Sequence, residues 1–326
     1  MIILTGGAGF IGTNTLIALN QMDREDIVVV DNIAATGKWK NLVGLAFQQY
    51  IHKDRLWQWL AERPSAPLEA VIHLGACTDT MEMDFDYLAE NNLRYSQRLW
   101  RLCTEKQIPF VYASSAATYG DGAAGFSDDH AQIRRYRPIN PYGLSKHLFD
   151  LWALKQNDTP SRWYGLKFFN VYGPYENHKG RMASVAHFAI PQALETGKIR
   201  LFRSGRTDYG DGEQRRDFVF VDDVVGIAIH FLNNAAPSGI YNAGSGKAQT
   251  FNRLAAAIFS ALQKPVDIEY FDMPESLKGS YQYFTEADMN KLVEAGCNFQ
   301  PTSLEDGIQR YCDWLLKIRS GHHRGT

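Results

Sequence analysis

The sequence predicts an α/β protein, a doubly wound parallel sheet that carries a smaller α/β lobe. Short apolar runs rich in β-branched residues alternate with longer amphipathic stretches through the first half, the pattern of βαβ units whose strands are covered on both faces. A glycine-rich turn follows the first of these runs and opens the first amphipathic stretch. After about Asn170 the pattern loosens into Gly- and charge-rich segments and then resumes.

In chain order, strands are predicted at Ile2–Thr5, Ile27–Val30, Ala70–Leu74, Phe110–Ser114 and Tyr164–Phe169, with helices near Ile11–Gln21, Asp84–Lys106 and Tyr142–Gln156. Loops are expected around Glu176–Arg181 and Arg203–Arg216. A strand at Asp217–Val221 and a helix at Val224–Leu232 resume the earlier style, and Val266–Phe271 and Leu304–Lys317 are a further strand and helix. The two parts interleave: residues 1–170 plus about 217–246 are expected to form one domain, and about 171–216 plus 247–326 the other. There is no linker, repeat or low-complexity segment.

The chain has 326 residues, with 34 Lys+Arg against 36 Asp+Glu, enough for a sizeable core. A net charge of −2 with both signs interspersed argues against a general nucleic-acid or acidic-membrane binder. No stretch approaches the ~20 apolar residues of a membrane helix, and the opening MIILTGGAGFIG lacks a basic region and breaks on glycines. A cytoplasmic location is expected. Cys77, Cys103, Cys297 and Cys312 show no CxxC pair or metal-ligand spacing and read as reduced thiols. His322 and His323 sit in a polar tail that reads as frayed; no metal site is expected.

Gly6, Gly9 and Gly12, in GGAGFIG, lie between the first strand and the first helix. Glycines there let backbone N–H groups approach a pyrophosphate at the positive end of the helix. Asp31 closes the second strand about twenty residues on, where a carboxylate reaches the adenosine ribose. Asp31 alone favours NAD, because a carboxylate repels a 2′-phosphate. Asn32, Lys38 and Lys53 lie just beyond, and two lysines can neutralise that phosphate. Since each also reads as a surface charge, these residues leave NAD and NADP both open.

Tyr142 and Lys146, in PYGLSK, stand four apart at a helix start and share a face. A phenol near pKa ~10 is a weak base, and an adjacent ammonium is expected to lower that value. Lys146 can also bind the nicotinamide ribose. Ser115 sits at the carboxyl end of a strand, where open α/β sheets bind ligands. Together with the glycine loop, the three point to hydride transfer with Tyr142 moving the proton of a substrate hydroxyl.

GGAGFIG, SSAATYG, PYGLSK, FFNVYGP, RDFVFVDDV and YNAGSG occur in the order found in extended short-chain dehydrogenase/reductases, which the chain resembles over nearly its whole length. HLGACTDT, ENHKGRMASVAHF and LKGSYQYFT narrow the resemblance to the ADP-L-glycero-D-manno-heptose 6-epimerase family. The resemblance implies a Rossmann-like fold with a substrate-binding lobe, a homo-oligomer described as a pentamer, and NADP rather than NAD, one per subunit. It implies conversion of ADP-D-glycero-β-D-manno-heptose to the L-glycero epimer through a transient C6″ ketone, for the lipopolysaccharide inner core.

By the same resemblance Phe10, Ile11, Asp31, Asn32, Lys38, Lys53, Leu74, Gly75, Ala76, Cys77, Thr78, Asn91, Lys146 and Val171 contact the cofactor. Asn170, Arg181, Phe202, Arg203, Ser204, Gly205, Arg216 and Tyr281 contact substrate, as does His187 unless the matching position is Phe188. The register through Phe202–Gly205 stays open because RSGRTDYGDGEQRRDF is longer than in some members. Lys179 matches a second acid/base residue, its pKa expected to be lowered by desolvation and nearby positive charge; binding the pyrophosphate alone is the competing role. Arg216 suits a diphosphate through its planar fork, against a rival ion pair with Asp217.

Other residues read as structural. Asp222 and Asp223 are expected to cap the following helix, Trp57, Trp59 and Tyr283 to pack, and Leu56–Leu60 to be an exposed aromatic helix suited to an interface. A 4,6-dehydratase is disfavoured because Ala116 and Ala117 stand where those enzymes carry an Asp-Glu pair. A 4-epimerase shares the serine, tyrosine and lysine, with HKGRMASV against it. A non-catalytic dinucleotide sensor typically lacks the intact tyrosine–lysine pair.

Overall fold

The computed structural model describes residues 1–275 and 281–320. Its main sheet contains β1 (Ile2–Thr5), β2 (Ile27–Asp31), β3 (Gln49–His52), β4 (Ala70–His73), β5 (Phe110–Ser115), β6 (Trp163–Phe168) and β10 (Gly239–Ala243). The order is β10-β6-β5-β4-β1-β2-β3 and every pairing is parallel. This is an α/β Rossmann-like sheet. Strand order reverses between β1 and β4, so a crevice opens beyond their carboxyl ends.

The β-branched runs form central strands because alternate side chains meet a different apolar layer on each face. Ile3, Val28, Val30 and Val71 enter one cluster, while Ile2, Leu4, Ile27, Val29 and Ile72 enter the other. Helices α1 (Phe10–Asn20), α2 (Leu56–Ala61), α4 (Tyr95–Lys106), α5 (Pro141–Ala153) and α7 (Val221–Asn233) belong to this part of the chain.

Past β6 the chain leaves the sheet. β7 (Asn170–Tyr172) pairs with β9 (Arg215–Phe220), which also pairs with β11 (Ala248–Thr250). β8 (Ile199–Phe202) pairs with β12 (Ile268–Phe271). Helices α6 (Val185–Thr196), α8 (Phe251–Ala261) and the C-terminal helix Leu304–Arg319 accompany them.

Several expectations are corrected. The stretch expected as one helix from Asp84 to Lys106 is broken by a π-turn at Ala89–Arg94 between α3 (Phe85–Leu88) and α4; Asn92, within that turn, is buried. The Leu56–Leu60 segment is no exposed aromatic face, since Leu56 and Trp59 are buried and the Trp59 indole donates to Gln49. Asp222 and Asp223 lie inside the first turn of α7, whose N-cap, Phe220, makes no side-chain hydrogen bond. Asp223 instead accepts from the N–H and hydroxyl of Thr302, and Asp222 pairs with Arg310, so both anchor the C-terminal segment. The four cysteines are free. Among the described residues no helix is long and apolar enough to cross a membrane; His322 and His323 lie outside them.

Candidate active site

The crevice is built first from backbone. Gly6 takes φ +70°, a left-handed turn that favours glycine. A Cβ on it would stand 2.6 Å from the Gly75 nitrogen, and one on Gly12 would stand 2.0 Å from the Gly6 carbonyl oxygen. The loop after β1, helix α1 and the loop after β4 therefore meet backbone to backbone. Helix α1 has neither a side-chain cap nor an acid in its first turn, so its terminal N–H groups stay available for an anion.

Asp31 completes the cradle. Its Oδ2 accepts the Ala8 N–H at 2.9 Å, and its Oδ1 accepts the Asn32 N–H and the Lys38 ammonium, each at 2.7 Å. The carboxylate thus fixes the glycine loop and carries a counterion.

A cavity of about 690 Å³ follows. Gly6, Gly9, Phe10, Ile11, Gly12, Asp31, Lys38, Val171 and the run Leu74, Gly75, Ala76, Cys77 and Thr78 line it. Asn32, Lys53 and Asn91 stand outside this lining. Asn32 is exposed, Lys53 reaches Asp54 at 3.0 Å, and the Asn91 amide donates to Asn92.

Ser115, Tyr142 and Lys146 line the same cavity. Asn140 caps α5 by accepting the Gly143 N–H at 2.7 Å, with Pro141 opening the helix, so the first turn that carries Tyr142 is fixed locally. The Ser115 hydroxyl accepts the Ala117 N–H at 3.1 Å.

The protonation pattern differs from the expected one. Burial pushes the Tyr142 phenol up and the neighbouring Ser115 hydroxyl pulls it back, while Lys146 does not lower it. The reason is geometric: the Lys146 ammonium donates to the Ala113 carbonyl at 3.0 Å. Burial itself brings Lys146 down to about 8, opposed by Asp150 and Cys77.

Lys179 also lines the cavity, from the loop Asn177–Met182, with its Nζ 5.2 Å from the Phe10 ring centre. Desolvation lowers its pKa, as expected, but the nearby charge has the opposite sign: Glu176 raises it. That loop is stitched across the cradle. His178 meets the Asn41 amide, which also donates to the Ala8 carbonyl, and the Thr80 N–H points to the Met182 sulfur. Arg181 bonds Asp79 at 2.7 Å while remaining largely exposed, outside the lining.

Asn170 lines the cavity and accepts from Thr285. His187 does not: its Nδ1 meets the Tyr311 hydroxyl at 2.9 Å, a packing contact with the C-terminal helix. Phe202, Arg203, Ser204, Gly205, Arg216 and Tyr281 lie in a neighbouring cluster. Phe202 and Tyr281 pack edge to face, Ser204 N–H donates to Asp211, and Gly205 N–H donates to the Tyr283 hydroxyl.

Arg216 is buried and stacked 4.9 Å from the Tyr281 ring centre and 5.7 Å from that of Phe251, a ring that also lines the cavity. The rival ion pair with Asp217 is absent. Asp217 is occupied by the N–H groups of Ser245, Gly246 and Ala287, and among the described residues no carboxylate bonds the guanidinium. Burial without a counterion lowers the Arg216 pKa. A buried guanidinium left this way suits an anionic ligand.

Residues 2–244 match the model of the NAD dependent epimerase/dehydratase family. The chain belongs to that family. It is 51% identical over 312 residues to an ADP-L-glycero-D-manno-heptose-6-epimerase of Nitratidesulfovibrio vulgaris, covering 95% of this chain and 96% of that one. It is 48% identical to the Fusobacterium nucleatum protein of the same name, covering 95% and 96%. The crystal structure of the Helicobacter pylori ADP-L-glycero-D-manno-heptose-6-epimerase superposes with a TM-score of 0.82 at 27% identity, covering 97% and 96%.

Sequence reasoning about this epimerase/dehydratase chain missed a buried polar layer under the site. Asp150 accepts from Ser114, Tyr112 and Lys167, and the Lys167 ammonium also donates to Thr118. Lys167 and Asp150 are both fully buried. Two signals were present: Asp150 stands four residues beyond Lys146, on its face, and Lys167 interrupts an apolar strand. Asn92, which accepts the Cys77 N–H and donates to Ser145, was hidden by the unforeseen π-turn.

Proposed function

We propose that this protein converts ADP-D-glycero-β-D-manno-heptose into ADP-L-glycero-β-D-manno-heptose by oxidation and re-reduction at C6″, supplying the heptose precursor of the lipopolysaccharide inner core. The shared name of relatives at 48% and 51% identity supports this substrate. The chemistry is carried by one observation: Tyr142, Lys146 and Lys179 line the same cavity as the glycine loop. The reading includes a cytoplasmic homo-oligomer, a dinucleotide-binding part at 1–170 and 217–246, and a substrate-binding part made of the remainder.

The residues present fit a nicotinamide dinucleotide. The close-packed glycine backbone and the open end of α1 would hold its diphosphate, Asp31 and Lys38 its adenosine ribose, and Lys146 its nicotinamide ribose. Pairing of Lys38 with Asp31 cancels the carboxylate charge that disfavours a 2′-phosphate, which supports NADP as the resident form. When bound, the nicotinamide supplies a reversible hydride acceptor.

The chain's own groups do the rest. Tyr142 exchanges the proton of the substrate hydroxyl and Ser115 orients the reacting oxygen by a hydrogen bond, while Lys146 serves the nicotinamide ribose. After inversion the oxygen lies in a different place, and Lys179, reaching the cavity from another element, serves as the second proton-transfer group. Arg216 and Arg181 receive the diphosphate.

The test incubates the purified protein with ADP-D-glycero-β-D-manno-heptose and follows C6″ by NMR. Conversion to the L-glycero epimer is expected. No conversion after addition of NADP and then NAD would refute the heptose reading. Tyr142→Phe is expected to slow conversion about 10²–10⁴-fold, the range for a lost general acid/base, at an unchanged melting temperature.

A further inference from the structure

The loop after β7 is held by a carboxylate that the proposed mechanism does not use. Glu176 is fully buried. Its Oε1 accepts the Gly173 N–H at 3.3 Å and the Ser184 hydroxyl at 2.7 Å, and its Oε2 accepts the Ser184 N–H at 2.6 Å. These bonds draw together the two ends of the segment 173–184, while the Glu176 carbonyl accepts the Lys179 N–H at 2.9 Å. The C-terminal helix braces the same loop. Tyr175, at φ +74°, stacks edgewise on Trp314 with centroids 5.0 Å apart, and Tyr311 bonds His187.

A tyrosine in the left-handed region is held there against a local cost of ~1 kcal/mol or more, so the loop is constrained rather than incidental. Lys179 projects from its middle with no hydrogen-bond partner for its Nζ among the described residues. The Phe10 ring covers it from α1. The titratable groups facing it are Glu176, His178 from its own loop and His187 from α6. Desolvation disfavours an ammonium there and Glu176 favours it, while burial pushes both histidines down toward their neutral forms.

We infer that Glu176 is the positioning residue for Lys179, closing the 173–184 loop through its carboxylate and placing a buried negative charge in the loop that carries the Lys179 amine. The inference rests on the reading that Lys179 is the second proton-transfer group. A group that must donate in one half of an epimerisation and accept in the other needs both forms within reach. Burial alone shifts Lys179 toward its neutral form, which can only accept.

The experiment measures modification of Lys179 by an amine reagent across pH, read by mass spectrometry of its peptide and normalised to exposed Lys198. Only the neutral amine reacts. In Glu176→Gln the midpoint is expected to fall and modification at pH 7 to rise several-fold. Glu176→Asp, which keeps the charge, should fall between. Ser184→Ala, which loses a hydrogen bond but not the charge, should leave the midpoint in place. An unchanged or raised midpoint in Glu176→Gln, or an equal shift in Ser184→Ala, would overturn the proposal. If Glu176→Gln does not fold, an unshifted Glu176→Asp overturns it. The underlying reading is tested separately: Lys179→Met retaining full epimerisation would remove the role of Lys179 while the modification result stood on its own.

Discussion

Gly12→Ala is expected to abolish tight dinucleotide binding while leaving the sheet folded. The added methyl would stand 2.0 Å from the Gly6 carbonyl oxygen, 2.7 Å from the Gly6 carbonyl carbon and 2.8 Å from the Gly7 Cα, whereas ordinary contact begins near 3.4 Å. Every obstructing atom is backbone, so no side chain can swing away. The start of α1 must withdraw from the loop by more than an ångström, at an overpacking cost of about 1–3 kcal/mol. Its N–H groups move with it. Losing one hydrogen bond to a charged diphosphate costs about 1.5–3 kcal/mol, or roughly tenfold to over a hundredfold in affinity. Calorimetric titration with NADP, beside thermal melts, measures both effects. Gly9→Ala is the graded control, because its methyl meets only the Gly6 oxygen at 3.1 Å. Gly12→Ala binding as tightly as wild type, or Gly9→Ala weakening it more, would refute the close-packing account.

Other perturbations probe the remaining layers. Lys38→Ala leaves the Asp31 carboxylate without its counterion at the proposed ribose end, so NADP affinity should fall more than NAD affinity; equal losses would remove Lys38 from cofactor discrimination. Asp150→Asn leaves a fully buried ammonium at Lys167 without a charge partner, a change costing about 3–5 kcal/mol; an unchanged urea midpoint would contradict this. His73 is buried between Thr5 and Ser96 and burial brings its pKa down to about 3. The folded protein therefore binds fewer protons than the unfolded chain between pH 6.5 and 3. This contribution is complete above 6.5 and declines by about 1.4 kcal/mol per unit as pH falls. Urea unfolding of His73→Gln should show a correspondingly flatter acid slope, and parallel pH profiles would count against it.

How far the fold could be read depended on where each strand finds its partners. β1, β2, β4, β5 and β6 are covered on both faces, and that burial writes itself into the chain as apolar runs. β3 and β10 lie at the sheet edges. QYIH is half exposed, and GIYNA is held by His130 accepting the Ile240 N–H and Asp128 accepting the Asn242 N–H. No local pattern announces contacts more than a hundred residues apart. The π-turn was equally silent, since AENNLR has ordinary helical composition.

The site divides along the same line, which bears on its chemistry. Tyr142 and Lys146 were legible because the Asn140 cap and a four-residue spacing fix them within one turn of helix. Lys179 carries no such signature. Its loop is set by Glu176, by the Asn41–His178 contact and by the Asn14 amide donating to the Pro174 carbonyl, each tying it to structure distant in sequence or to a carboxylate hidden from solvent. The sign error in its expected electrostatics has the same origin: neighbouring cations are visible in HKGR, but the acid that counters them acts only once the loop has closed. Of the two proposed proton-transfer groups, one is therefore preorganised by secondary structure and the other by tertiary closure. Changes remote from the cavity, in the C-terminal helix that bears Tyr311 and Trp314, act on the second group before the first.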